Sequence, residues 1–365
     1  EIPLRLVGSE MCIRDSNRTT IVMSMSGARV LVTGASGFLG GHVVPELRRH
    51  GYEVFAAGRN EHALELVADD GHRVLGDLAS LRTQDLPVDA VIHCAALSAP
   101  WGRWRDFREA NVDGTDHVAE FARRNRVRRV VHVSSPSVYA APRDRIGIRE
   151  PDVDRSNRLN GYIRSKIAAE DLLLDAVDSG KIAELVIVRP RGLIGVGDPS
   201  LVPRLLDVHA RIGVPVFDGG DNLIDVTAVE NVASALRLAL TRGDAAGGVY
   251  NITNDDPRRF RELLTILLER MGETPRFRPM HRRAAWVLAS ASEGVCSMLP
   301  WRPEPPLTRY TLSTIAYSQT LDITRAKAEL GYRPEVSLDD ALAGVAAHLR
   351  SVSYTHLTLP TIYSV

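Results

Sequence analysis

The sequence predicts an α/β fold, a doubly wound parallel sheet with a smaller C-terminal lobe, on three observations. Short apolar, β-rich runs at 30–32, 54–57, 73–75, 90–94, 130–133 and 185–188 alternate with helical segments through the first half. Alternation of this kind joins parallel strands through crossover helices. The first strand-to-helix junction is rich in glycine: Thr33-Gly34-Ala35-Ser36-Gly37-Phe38-Leu39-Gly40. After Pro190 the texture changes to loops holding Gly192, Gly195, Gly197, Pro199 and Pro203, then to mixed short elements as far as about Arg350.

Both ends of the chain read as foreign to that fold. Met11-Cys12-Ile13-Arg14-Asp15 can be encoded by ATG TGT ATA AGA GAC, whose reverse complement encodes Val352-Ser353-Tyr354-Thr355-His356. One short inverted DNA sequence thus flanks the gene. It resembles a transposon adapter of sequencing libraries, translated over Leu6 to Ser16 and Val352 to Thr361. Residues 1–24 and 352–365 are therefore expected to be adapter-derived tails that take no part in the fold, with the native start expected at Met23 or Met25.

The glycine-rich turn follows the apolar run Arg29-Val30-Leu31-Val32, and His42, Val43, Val44 and Leu47 beyond it have helical spacing. Gly34 permits the tight turn, Gly37 lets the backbone approach a pyrophosphate, and Gly40 lets helix and strand pack closely. Unpaired N–H groups and the positive end of the helix dipole complete a phosphate site. A simple tight turn is the alternative that the glycines alone leave open. The second strand should close on the residue that reads the cofactor ribose, and here it ends in Gly58-Arg59-Asn60 with no acid. Arg59 fits a 2′-phosphate, so NADP is expected ahead of NAD. Later strands end at Asp77 and Leu78, at Ala95 and Ala96, and at Ser134 and Ser135, and ligands of such sheets bind beyond these carboxyl ends.

Tyr162 and Lys166 stand four apart in a helical stretch and share one face. An ordinary surface pair has the same spacing; Ser135, at a strand end where a substrate carbonyl would lie, raises the pair above that. Free tyrosine titrates near pH 10, so its use at neutral pH needs a shift of roughly three units, about 4 kcal/mol. Lys166 is expected to supply part of that shift and to bind the nicotinamide ribose, Tyr162 to exchange a proton with the substrate oxygen, and Ser135 to hold that oxygen.

Composition excludes several other classes. The 45 basic and 45 acidic residues balance, leaving no global field for nucleic acid or an anionic membrane surface. The run Arg123, Arg124, Arg126, Arg128 and Arg129 reads as a solvated helix end. Of three cysteines, Cys12 lies in a tail and Cys94 and Cys296 are far apart, so neither a disulfide framework nor a metal spacing is present. The apolar stretch from Ala284 to Pro300 is too short and too interrupted to span a bilayer and reads as a buried helix, with a membrane-surface or pocket-wall role as the alternative. A cytoplasmic protein with no integral membrane segment is expected.

TGASGFLG, Cys94-Ala95-Ala96, Asn111-Val112-Asp113-Gly114-Thr115, Ser135 and the Tyr162/Lys166 pair together resemble an extended short-chain dehydrogenase/reductase, a Rossmann-type fold. The resemblance implies that Ser135, Tyr162, Lys166 and Asn111 form the catalytic set. It places the cofactor against Gly34, Ser36, Gly37, Phe38, Leu39 and Gly40, against Arg59, Ala95, Ala96 and Pro190, and puts Asp77 and Leu78 beside the adenine. It implies an NAD(P)-binding domain over 25–190, with a returning part near 223–253, a substrate-binding lobe over 191–222 and 254–350, and a homodimer. Arg189 to Pro199, Leu201 to Leu205, Asn222 to Thr227 and Glu230-Asn231-Val232 are similar to the 3β-hydroxysteroid dehydrogenase branch. Trp101-Gly102 and Glu304 to Tyr310 look most like bacterial 2-alkyl-3-oxoalkanoate reductases. Either implies a large apolar small-molecule substrate with a secondary alcohol or ketone, for which Trp101, Trp104, Trp301 and Tyr310 are pocket candidates. Val196 departs from the branch, which often has proline there. A nucleotide-sugar epimerase or dehydratase is the competing reading, with Arg191, Arg204 and Arg211 as candidate diphosphate ligands, and a non-catalytic NADP-binding regulator is a weaker one.

Overall fold

The computed structural model describes residues 27–358; the expected tail 1–24, with Cys12, and residues 359–365 of the other lie outside the described residues. Residues 352–358 continue the last helix, Leu338–Thr358. Seven strands form the main sheet: β1 (Arg29–Thr33), β2 (Glu53–Gly58), β3 (Arg73–Leu75), β4 (Ala90–His93), β5 (Arg129–Val133), β6 (Glu184–Pro190) and β7 (Ala246–Ile252), in the order β7-β6-β5-β4-β1-β2-β3. Every pairing is parallel.

Period-two alternation decides which helices cover which face. Val30, Val32, Ile92, Val131, Val186 and Val188 face α1 (Phe38–Arg49) and α4 (Val229–Ala239). Leu31, Val91, Val130, Leu185 and Ile187 face α2 (Gly114–Arg124) and α3 (Gly161–Asp178). With both faces covered, the strands read as near-continuous apolar runs. The order reverses between β1 and β4, so a crevice opens beyond their carboxyl ends.

A second, four-stranded sheet takes Arg145–Ile148, Gln319–Leu321, Leu223–Ile224 and Arg258–Arg259 from widely separated parts of the chain. Below α3 lies a buried polar network. Arg189 of β6 donates two hydrogen bonds to Glu170 of α3, at 2.7 and 2.6 Å, and Ser134 Oγ donates a third at 2.5 Å. Arg189 also donates to Tyr139 Oη and to the Glu150 carbonyl. Burial alone would lower the guanidinium's pKa; the Glu170 carboxylate more than offsets that and leaves it raised.

Two sequence expectations fail here. Arg129 is not solvated: it is 5% exposed, pairs with Glu184 at 2.5 Å and donates to the carbonyls of Ala239 and Arg242. As the first residue of a strand buried on both faces, it has only a polar route out of the sheet. The stretch from Ala284 to Pro300 is not a buried helix either. Helix α5 (Arg282–Met298) turns Ala285, Ala289 and Glu293 inward and leaves Val287, Leu288, Val295 and Met298 exposed. The two alanines pack with Phe217 and Leu312, while Glu293 accepts from Arg309 N and Nε at 2.6 and 2.7 Å. Small residues and a paired acid thus hold the inner face, so the larger apolar side chains point out.

Candidate active site

The glycine turn is closed by steric necessity. Gly34 has φ +71°, and a Cβ there would lie 2.7 Å from Ala95 N, so β1 and β4 meet through backbone. A Cβ at Gly40 would lie 2.2 Å from Gly34 O, and one at Gly58 2.5 Å from Ser36 Oγ. Gly37 is exposed and caps α1, whose first turn carries no acid. Phe38 and Leu39 are half-buried behind it. This cradle fits a pyrophosphate: a bare backbone edge at a helix start, with no negative charge to oppose one. Arg59 is exposed just beyond β2, with no hydrogen-bond or ion-pair partner among the described residues. Asp77, also exposed, accepts from Ser80 N at 2.9 Å, while Leu78 packs so closely on Gly114 that a Cβ there would lie 2.8 Å from its Cδ1.

At the other side of the crevice, Tyr162 and Lys166 lie on one face of α3, started by the Asn160 side chain, which accepts from Ile163 N at 2.8 Å. Tyr162 is 7% exposed, between Phe107 and Tyr310, with ring centroids 6.2 and 6.3 Å away. Its phenol is raised from the ordinary value by burial, against the neighbouring hydroxyls of Ser135 and Ser98, which act to lower it. Lys166 is not among the groups that move it, contrary to the expected lowering. The reason is geometric: Lys166 Nζ donates at 2.8 Å to the Val133 carbonyl at the end of β5. Asn111 sits in a π-turn over Arg108–Asp113 and ties the loop after β4 to α3. Its side chain accepts from Leu97 N at 2.7 Å and donates to Leu97 O at 3.0 Å and to Ser165 Oγ at 2.8 Å.

Burial lowers Lys166 to about 8, with Glu170 opposing that from one turn on. His93 is pushed down to about 3 by burial, with Lys166 adding to the effect, and buried His132 is lowered likewise. Both imidazoles are therefore neutral near pH 7. Cys94 is pushed up to about 12 by burial, which leaves it a thiol. Among the described residues Cys94 and Cys296 are free, and no group of His, Cys, Asp or Glu could hold a metal ion.

The lowered lysine carries a stability prediction. Below pH 8 the folded and unfolded states are both protonated, and burying the ammonium costs about 3 kcal/mol for a fall from 10.5 to about 8. Between pH 8 and 10.5 the folded state sheds its proton first, so the cost fades as pH rises. Lys166→Met is expected to raise the urea midpoint of the ligand-free protein at pH 7, and to raise it progressively less towards pH 10. A gain that does not shrink would contradict the assignment.

Sequence reasoning missed Ser98, which lies on a loop without a motif; Phe107, signalled by the glycines at 102 and 161, where a Cβ would lie 3.1 and 2.7 Å from its ring; and Glu170, which was visible as the residue one turn after Lys166. Tyr310 does meet Tyr162. The tryptophans have contacts of their own: Trp104 stacks under the Arg164 guanidinium at 3.7 Å, Trp101 Nε1 donates to Arg302 O at 3.2 Å, and Trp301 is 71% exposed. Pro190 is the buried last residue of β6. Val196 is exposed, and its carbonyl accepts from His42 Nε2 at 3.0 Å, so that loop is latched to α1.

The model of the NAD dependent epimerase/dehydratase family matches residues 30–253. The chain belongs to this family. A similar relative is the 2-alkyl-3-oxoalkanoate reductase of Stenotrophomonas maltophilia (strain K279a), 32% identical over 328 residues that cover 87% of this chain and 98% of the relative. Another is the decarboxylating sterol-4-alpha-carboxylate 3-dehydrogenase of Mus musculus, 32% identical over 328 residues, covering 85% and 88%. Among solved structures, MoeE5 in complex with UDP-glucose and NAD is 26% identical, with a TM-score of 0.69 over 89% of this chain and 99% of that one. As a member of the epimerase/dehydratase family with oxidoreductases as relatives, the chain is a nicotinamide-dependent enzyme.

Proposed function

We propose that this enzyme is an NADP-preferring reductase or dehydrogenase acting on a secondary alcohol or ketone of a large apolar substrate of the 3β-hydroxysteroid or 2-alkyl-3-oxoalkanoate type. The observation that carries the reading is the buried Tyr162 phenol beside the hydroxyl of Ser135, with Lys166 one turn away at the end of β5. The cofactor supplies or accepts the hydride when bound. Ser135 holds the substrate oxygen, and Tyr162, kept protonated at neutral pH by its raised pKa, donates a proton to that oxygen as negative charge develops on it. Lys166 supplies the positive charge of the floor and a donor for a ribose hydroxyl. Asn111 fixes the loop that carries Ser98 relative to α3. The glycine turn and Arg59 bind the phosphates. Residues 25–190, with the part near 223–253, are assigned to the cofactor, 191–222 and 254–350 to the substrate, and a cytoplasmic homodimer is the expected assembly.

The nucleotide-sugar reading is disfavoured by three arginines. Arg191 is buried and donates to Gln319 Oε1 at 2.9 Å, Arg204 pairs with Glu304 at 3.0 Å, and Arg211 pairs with Asp207 at 2.7 Å. Each already has a partner, which leaves them poor diphosphate ligands. The test is oxidation of NADPH and NADH with a long-chain 2-alkyl-3-oxo acid and a 3-oxosteroid side by side. Ketone-dependent oxidation supports the reading; silence with both, despite cofactor binding, would turn it towards sugar nucleotides. Arg59→Ala is expected to raise KM for NADPH roughly tenfold, the scale of a lost charge-assisted pair, and to leave KM for NADH unchanged. An unaltered NADPH/NADH ratio would make Arg59 a solvated loop residue.

A further inference from the structure

Helix α5 presents its apolar face to solvent. Val287, Leu288, Val295 and Met298 are 68, 57, 62 and 85% exposed, and Trp301 follows at 71%. Between Ala284 and Met298 no exposed position is charged, because Glu293, the acid of the helix, is turned inside onto Arg309. Arginines flank the face at both ends. The side chains of Arg283 and Arg302 are without hydrogen-bond or ion-pair partners among the described residues, and both residues are exposed. An uncharged apolar stripe, free cations at its ends and a tryptophan at one edge are the makings of a helix that lies in a lipid–water interface.

We propose that the outer face of α5, with Trp301, docks this enzyme on an anionic lipid surface, the helix lying flat with its apolar stripe in the acyl boundary and Arg283 and Arg302 among the headgroups. No helix among the described residues is long and apolar enough to cross a membrane, so the contact is peripheral. The whole chain's charges balance, so the attraction comes from this patch rather than from a global field. A second copy of the chain fits the face poorly. Two-fold pairing sets arginine against arginine, whether the helices run parallel or antiparallel, and the face offers no acid to meet either.

The face is continuous with the candidate site. Arg103 donates to Pro300 O at 2.8 Å and Trp101 to Arg302 O at 3.2 Å, so the segment after α5 is tied to the loop before the π-turn. Glu293 holds Arg309, and the next residue, Tyr310, packs its ring against Tyr162. A lipid-dissolved substrate then reaches Tyr162 along a wall shared with the docking face. That delivery rests on the apolar-substrate reading; the docking does not.

The test is sedimentation of the full chain with phosphatidylcholine vesicles and with vesicles in which a quarter of the lipid is phosphatidylglycerol, read without any assay of activity. Wild type is expected to partition roughly tenfold better onto the anionic vesicles, and to lose that preference in high salt. Leu288→Glu/Val295→Glu, both at exposed positions that do not threaten the fold, is expected to abolish partitioning, while circular dichroism and NADPH binding stay unchanged. Arg283→Glu is expected to remove the anionic preference. The proposal falls if wild type stays in solution with both vesicles, if it ignores lipid charge, if the double variant sediments as wild type does, or if wild type is a dimer that the double variant dissociates.

Discussion

Tyr162→Phe is expected to lower the rate of ketone reduction roughly a thousandfold, the middle of the range for removing a positioned general acid, while cofactor binding and thermal stability change little. The hydroxyl is what the substitution removes; the ring remains between Phe107 and Tyr310, so packing is kept. Burial raises the phenol's pKa, which puts the acid in its proton-carrying form throughout the neutral range. The wild-type reduction rate should therefore not fall with rising pH through deprotonation of this residue until the ordinary tyrosine range has been passed. Single-turnover oxidation of NADPH, with binding followed separately by fluorescence, separates chemistry from affinity. A loss smaller than about tenfold would mean that the proton comes from elsewhere.

Arg189→Met is expected to destabilise the fold by about 3–5 kcal/mol, because it leaves Glu170 buried without its counter-charge. Glu170 is 0% exposed and Arg189 1%; of the other cations near it, Arg155 lies 3.7 Å from Glu170 Oε2 and is partly solvated, and Lys166, one turn before it, donates to the Val133 carbonyl instead. Tyr139 Oη and the Glu150 carbonyl lose a donor in the same step. Arg189→Met/Glu170→Leu removes both charges together and is expected to recover part of the loss, since an uncharged pair of similar volume avoids the desolvation penalty. Urea unfolding of the three proteins measures this. A single variant within about 1 kcal/mol of wild type would show that water reaches the site.

The doubly wound sheet was legible because its signals are local. Each strand is an apolar run, Gly40 is demanded by a contact within one turn, and Gly34 by its left-handed φ of +71°. Tyr162 and Lys166 were legible for the same reason, sharing a face of one helix. What the sequence hid is what distant segments decide. Lys166 reaches the Val133 carbonyl rather than the phenol, Ser98 arrives from a loop, and Arg129 is taken inside by Glu184 and by carbonyls near residue 240. The direction in which α5 faces is another case: its composition reads as core, but Ala285 and Ala289 are the side chains small enough for its contact with Phe217 and Leu312. The tryptophans could be named but not placed, since their neighbours lie far along the chain.

The position of β7 bears on how the protein emerges during synthesis. Strand β6 has β5 on one side and β7 on the other, yet β7 begins at Ala246, long after β6 ends at Pro190. While the intervening residues are being made, β6 offers a bare hydrogen-bonding edge of Leu185, Val186, Ile187 and Val188, all 0% exposed once folding is complete. An apolar edge of this kind pairs readily with other chains. The nascent chain thus carries an open edge that stays unpaired until β7 has been made and takes its place beside β6.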